Sequence, residues 1–343
     1  MDRKAFSFLF VGLVTGSLLA AAFFVGVIRQ GKLSPAAGGA AGPGTVLKLA
    51  HALDQAHPVH VAMELMAKRV GELSNGTVTI QVFPNGQLGS EPETIEQLQR
   101  GAVAIVKTSA AAMEGFVPDM AVFGLPYLFR DDEHYWKVLN GPLGRQFLAA
   151  GEPAGMHGLC YYDSGSRSFY TVGKPILTPA DVKELKIRVL PSKMARDLIA
   201  TLGGGPTPIP WGELYTALQQ SMVDGAENNP PSYLTSRHYE VAKHFSLDEH
   251  TRIPDVIIFS QKIWAGLSPQ QQAWINQAAA ESVEFQRKLW IEKTAEALAT
   301  VEKAGVKIYR PDKRPFVEAT LPMYQAMAGT RLGDLAQQIR DVK

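Results

Sequence analysis

The chain has 343 residues, 34 basic and 33 acidic, for a formal charge of +1, with 46% hydrophobic, 20% charged and 9% aromatic residues. This is globular composition, not that of a disordered tail. At about 100 to 200 residues per domain the length fits two lobes, each able to bury a core. Interspersed charges of near-zero sum exclude a sequence-wide basic field, so nucleic acid is not an expected partner. A single cysteine, Cys160, excludes an internal disulfide framework and any multi-cysteine metal site.

The N-terminus departs from that average. After Arg3 and Lys4, Ala5 to Ile28 runs 24 residues without a charge before Arg29. Residues 1–30 therefore read as a signal peptide or an N-terminal membrane anchor, because the stretch is long enough to span a bilayer and starts as a leader does. The basic start places the N-terminus in the cytoplasm and the rest of the chain outside it. Residues 31–44, with SPAAGGAAGPG from Ser34, read as a flexible tether. Beyond the tether, 30 bases stand against 32 acids, so the exported portion carries −2. A long-range field would not draw an anion to such a body, and attraction for one has to be local.

The remainder alternates short apolar strands with helices, the rhythm of an α/β protein. Val46 to Ala50 reads as a strand. Pro58 to Leu73 reads as a helix through Val61, Leu65, Val70 and Leu73, and Thr77 to Phe83 alternates as a second strand. Ser90 with Glu93, and Pro92 between them, forms a capping box opening a helix to Arg100. From Ser268 no proline or glycine follows Pro269 until Gly305, which predicts either one very long helix strapping both lobes or two helices bent near Ser282.

Catalytic signatures are mostly missing: no phosphate loop, no dinucleotide glycine spacing at Gly203 to Gly205, no nucleophile elbow and no metal-binding histidine helix. No metal or cofactor is expected, and Cys160 in LCYY reads as a buried, inert thiol. Two arginines stand among strands and turns, Arg167 in GSRSFYT and Arg188 in LKIRV. Arg188, flanked by Ile187 and Val189, points away from its apolar neighbours, toward water or a cleft. A guanidinium fork suits a carboxylate through two parallel hydrogen bonds; a structural salt bridge is the alternative.

The run PILTPADVKELKIRV from Pro175 and the run GGGPTPIPWGELYTALQQSMVDGAENNPPS from Gly203 to Ser232 resemble the extracytoplasmic solute-binding subunit of tripartite ATP-independent periplasmic (TRAP) transporters. VFPNGQLGSEPETIEQLQRG at 82–101, VFGLPYLFRDDEH at 122–134 and SLDEHTRIPDV at 246–256 extend the likeness, which covers nearly everything from Val46 onward. The resemblance implies a two-lobe, periplasmic-binding-protein-like α/β fold with an interlobe cleft, crossing hinge strands and a long C-terminal helix bracing both lobes. Lobe I would comprise 45–164 and 254–292, and lobe II 165–253 and 293–343.

By the same resemblance, Arg188 is the principal carboxylate-binding arginine and Arg167 the second. Asn228 contacts the same end of the ligand, Trp211 packs on its apolar face, and His250 lies behind them in a water or supporting role. Glu91 falls at a hydroxyl-binding position, its alternative being a carboxylate stabilised by the helix N-terminus. Lys107 and Ser109 lie where the first lobe selects ligands, with His51 and Ala52 near the cleft. Pro191, Ser192 and the 107–112 stretch depart from sialic-acid-binding members, which disfavours that ligand.

The expectation is a monomeric periplasmic binding protein, not an enzyme, that captures a sugar acid such as a uronate or aldonate and delivers it to the membrane permease subunits of a TRAP transporter. Alternatives are a C4-dicarboxylate binder, a sensing domain for a signalling partner, or an anchored enzyme using Glu91 or Asp224 with a histidine.

Overall fold

The computed structural model describes residues 44–343. The leader, and the tether up to Pro43, lie outside the described residues. Among the described residues, eleven strands form two sheets. The first is built from β1 (Thr45–Ala50), β2 (Val78–Phe83), β3 (Ile105–Ser109), β4 (Met156–Tyr162) and β10 (Asp255–Ser260), in the order β2-β1-β3-β10-β4. The second is built from β5 (Arg167–Thr171), β6 (Lys186–Val189), β7 (Gly205–Pro208), β8 (Gly225–Asn228), β9 (His244–Thr251) and β11 (Lys307–Tyr309), in the order β11-β9-β5-β8-β6-β7. β1 runs parallel to β2 and β3, and β6 parallel to β7 and β8. β10 and β5 run antiparallel to their neighbours.

Local signals explain most elements. In β1, Leu47 and Leu49 are buried while Val46 and Lys48 are exposed, the alternation of a strand with one covered face. β10 is buried at every residue, as a strand covered on both faces should be. Helix α1 (Pro58–Leu73) starts at His57, whose Nδ1 accepts the Val59 N–H, and α2 (Glu91–Arg100) starts at the Ser90–Glu93 capping box. The face α1 buries is Ala62, Met63, Met66 and Val70, whereas Val61 is 39% exposed. Small and flexible side chains suit this face because a second helix lies along it.

That second helix is α5 (Pro269–Lys303), 35 residues without a break, about 52 Å long at 1.5 Å per residue. Helices α3 (Lys193–Thr201) and α4 (Pro230–Thr235) precede it in the chain, and α6 (Arg314–Ala326) follows. Of the two readings of the 269–304 stretch, the single helix is found. Ser282 does not bend it, because its hydroxyl accepts from Tyr162 (2.7 Å) and donates to the Ala279 carbonyl (2.7 Å). Helix α5 packs against α1 and β4 on the side of the first sheet and against α4 on the side of the second.

The backbone crosses between the sheets at residues 163–166 and 252–254, and α5 leads to β11. Gln286 of α5 holds the first crossing at its start, its amide accepting the Asp163 N–H and donating to the Asp163 carbonyl, each at 2.8 Å. Ser164 donates to the Ile253 carbonyl, tying the two crossings together, and Arg252 reaches Asp163 at 3.1 Å. Gly165 lies at φ +58°, and a Cβ there would stand 3.0 Å from the Trp290 indole nitrogen, so this crossing requires glycine. The C-terminal helices, α6 and α7 (Arg331–Asp341), pack Phe316, Met323, Leu335 and Ile339 into one core with Phe123, Phe147 and Leu198.

Candidate functional site

The carboxyl ends of parallel strands in α/β sheets leave a crevice where ligands bind, and here both sheets turn those ends to the same place. β1 leads to Ala52, β3 ends at Ser109, β7 leads through Ile209 to Trp211, and β8 ends at Asn228. The antiparallel strands β5 and β10 begin at that edge with Arg167 and Asp255. A cavity of about 360 Å³ opens there, its wall including Ala52, Gly89, Glu91, Arg188, Pro210 and Trp211. This is near the small end of small-molecule pockets. A deeper recess of about 40 Å³ shares Ala52, Glu91 and Trp211 and adds Lys107, Ser109, Arg167, Asn228, Ser232 and Asp255.

Arg188 forms the floor. It is 1% exposed, its Nε donates to the Ile209 carbonyl at 2.8 Å, and its guanidinium lies 5.5 Å from the centre of the Trp211 ring. Its Nη1 has no hydrogen-bond partner, and burial lowers its basicity. Among the described residues no carboxylate pairs with it. Trp211 is braced from behind by His238, ring centres 4.9 Å apart, which in turn meets the Tyr170 hydroxyl at 2.9 Å.

Arg167 differs sharply. Its Nε and Nη2 grip the Glu227 carboxylate, Nη2 also donates to the Glu227 carbonyl at 2.8 Å, and Nη1 donates to Asn228 Oδ1 at 2.9 Å. Burial pushes the Glu227 carboxyl up, but Arg167 and His250 outweigh it and hold it at about 2. Behind Glu227, His250 Nε2 stands 3.7 Å away, and Nδ1 meets Asp248 at 2.7 Å. Burial alone would lower this imidazole; Asp248 and Glu227 raise it to about 9. The second arginine therefore carries its own counter-ion and holds the Asn228 amide oxygen at the edge of the recess.

On the opposite wall Lys107 Nζ lies 3.0 Å from Asp255 and 3.8 Å from Glu91. Lys107 faces Ile257 across the β3–β10 ladder, so Asp255 is its diagonal neighbour on one face. Burial pushes the Asp255 carboxyl up to about 6 against the pull of Lys107. Glu91 accepts the Ser109 N–H at 2.9 Å, and Ser109 Oγ accepts the Ala111 N–H. Gly89, at φ +119°, lets the loop before α2 reach the cavity wall.

Of the residues expected from sequence, Arg188, Arg167, Asn228, Trp211, Glu91, Lys107 and Ser109 all line the cleft. His51 and His250 do not. His51 Nδ1 accepts the Leu53 N–H, so its Nε2 proton points at His60 Nδ1, 3.0 Å away, and burial lowers its pKa to about 3. His250 is packed on Phe169, ring centres 4.4 Å apart, behind Glu227. Asp224 sits at the far end of β8, where it accepts the Lys186 N–H at 2.7 Å. Glu227, Asp255, Asn229 and Ser232 were not anticipated. An acid inside the otherwise apolar run DVIIFS was a readable signal for Asp255; Glu227 left none.

One serine–histidine pair touches the recess, His57 Nε2 and Ser232 Oγ at 3.1 Å. Because His57 Nδ1 accepts the Val59 N–H, Nε2 holds the proton and donates it, so this imidazole cannot deprotonate the serine. The arrangement can bind an anion at Arg188 and read hydroxyls with Asn228, Glu91 and Asp255.

A profile of the bacterial extracellular solute-binding proteins, family 7, matches residues 49–330. The chain belongs to this family. A TRAP periplasmic solute-binding protein of Bradyrhizobium sp. BTAi1, in complex with α/β-D-galacturonate, superposes on this family 7 protein with TM-score 0.83 at 44% identity, covering 86% of this chain and 99% of that one. A TRAP periplasmic solute-binding protein of Roseobacter denitrificans with bound β-D-glucuronate gives TM-score 0.84 at 38% identity, covering 87% and 100%. The C4-dicarboxylate-binding periplasmic protein of Rhodobacter capsulatus is 31% identical over 303 residues, 87% of this chain and 90% of the relative. The two-lobe α/β architecture is thus that of TRAP solute-binding proteins, a family that binds small organic acids and works with membrane permease components outside the cytoplasm. Among the described residues no helix is long and apolar enough to cross a membrane.

Proposed function

We propose that this family 7 protein captures a sugar acid, a uronate or aldonate, in the cleft and hands it unchanged to a membrane permease. The observation that carries the reading is Arg188: a buried guanidinium on the floor of a cavity of about 360 Å³, with a free Nη1 and no carboxylate among the described residues paired to it. A buried cation without a partner is costly, and a ligand carboxylate supplies the partner through charge-assisted bonds. Trp211 and the prolines at 191, 208 and 210 offer an apolar wall to a ring face, while Glu91, Asp255 and Asn228 accept or donate to hydroxyls. The galacturonate and glucuronate bound by the two solved relatives support the same class.

Arg188, Arg167, Asn228, Trp211, Glu91, Lys107 and Ser109 are assigned to binding, His250 to supporting Glu227, and His51 to supporting the loop at Ala52. The segments 45–164 with 254–292, and 165–253 with 293–343, act as the two lobes that close on the ligand as a monomer, and residues 1–30 export or anchor the chain. The imidazoles turned from the cavity and the placement of Asp224 favour binding without catalysis.

Thermal melting of the purified protein against D-galacturonate, D-glucuronate, D-gluconate and succinate tests the proposal. Ligand at 100 times Kd stabilises by about 2.7 kcal/mol, and chromatography should return the ligand chemically intact. The Rhodobacter relative favours a second reading, a C4-dicarboxylate; succinate giving the largest shift would establish it over the first.

A further inference from the structure

The charges around the cleft are lopsided. Among the described residues Arg188 is the one cation lining the larger cavity, against Glu91, Glu93 and Glu213. In the recess beyond, Arg167 is held by Glu227, and Lys107 stands between Asp255 at 3.0 Å and Glu91 at 3.8 Å. The site therefore has a single positive charge free for a ligand, at one end, and surplus negative charge elsewhere.

We infer that the cleft is a monoanion filter: Glu91 and Asp255, with Glu213 at the mouth, reject any ligand that carries a second carboxylate. This rests on the sugar-acid reading and sharpens it. The terminal hydroxyl of an aldonate donates to a carboxylate of the wall. In the matching aldarate the same carbon bears a carboxylate, which sets acceptor against acceptor and like charge against like charge in a space that a bound ligand has emptied of water. Lys107 does not relieve the repulsion, because two carboxylates already share it. Aldarates and C4-dicarboxylates are thus excluded by the binding wall itself, and acceptance of a sugar acid depends on only one chain end being a carboxylate.

The experiment is calorimetric titration of the full chain with D-galactonate and galactarate, open-chain acids that differ only in whether C6 is a hydroxymethyl or a carboxylate, with D-galacturonate as reference. The wild-type protein should bind galactarate about 100-fold more weakly than galactonate, about 2.8 kcal/mol at 1.4 kcal/mol per decade. Glu91→Gln and Asp255→Asn keep side-chain shape and should each narrow that ratio at least tenfold, chiefly by strengthening galactarate. Glu213 is exposed, so Glu213→Gln folds whatever the buried variants do, and should narrow the ratio about threefold at low salt. Equal wild-type affinities, or a ratio unmoved in the variants that bind galactonate, overturn the filter while leaving the sugar-acid reading standing. Binding of none of the three sugar acids overturns the sugar-acid reading, and the filter with it.

Discussion

Replacing Arg188 by methionine separates what the residue does for the ligand from what it does to the fold. The side chain is 1% exposed and, among the described residues, its only hydrogen bond is to the Ile209 carbonyl. With ligand bound, its loss strands a buried carboxylate, at a cost of about 2 to 5 kcal/mol, or about 30- to 4,000-fold in Kd at 1.4 kcal/mol per decade. Without ligand the sign reverses. Desolvating an unpaired cation costs several kcal/mol, whereas the hydrogen bond and the Trp211 contact return about 1 kcal/mol each. A methionine of similar reach should therefore stabilise the empty protein by about 1 kcal/mol, raising Tm by about 1.5 °C for a chain of this size. Calorimetric titration with D-galacturonate and scanning calorimetry of the empty protein read both effects from one preparation. A variant that binds within threefold of wild type, or whose empty form melts lower, would refute the reasoning.

Glu227→Gln leaves Arg167 buried without its counter-ion and should destabilise the protein by about 3 to 5 kcal/mol, seen as a lower Tm with or without ligand. His250 is raised from 6.5 to about 9 on folding, so its contribution is complete below pH 6.5 and disappears as pH climbs through 9. Glu227 is lowered from 4.5 to about 2, so its contribution is complete above pH 4.5 and disappears as pH falls toward 2. Tm measured across that range should show both limbs, and Asp248→Asn should flatten the alkaline one; an alkaline limb unchanged in that variant contradicts the assignment. Cys160 is half-buried in β4, and desolvation pushes its thiol up to about 12, so a thiol reagent at pH 8 should label the native protein much more slowly than the denatured one, and equal rates would count against an inert thiol.

What could be read from the sequence was what neighbours within a few residues decide. The Ser90–Glu93 box, Pro269 after Ser268 and the alternation of β1 each fix an element by local hydrogen bonding or burial, and Arg188 stood out because Ile187 and Val189 flank it. Contacts across the fold decided the rest. Arg167 and Glu227 are 60 residues apart and meet only because β5 and β8 pair, so from sequence a ligand clamp and a structural salt bridge both stay open for the second arginine. His51 turns on a partner nine residues away, His60, whose reach into the turn depends on how α1 sits. The continuity of α5 through Ser282 was undecidable without Tyr162, which takes up the serine hydroxyl.

The strand order of the first sheet bears on how this chain reaches its place of work. β10 lies between β3 and β4, with more than ninety residues of the second sheet intervening before it in sequence. Until residue 260 has been made, β3 and β4 have nothing to join them, and the long helix that packs on α1 comes later still. A sheet closed by its last-made strand has high contact order and folds slowly. In a chain of an extracellular solute-binding family, the core of the first sheet therefore stays open through most of synthesis, and an unfinished core is the state from which a chain can still be passed across a membrane.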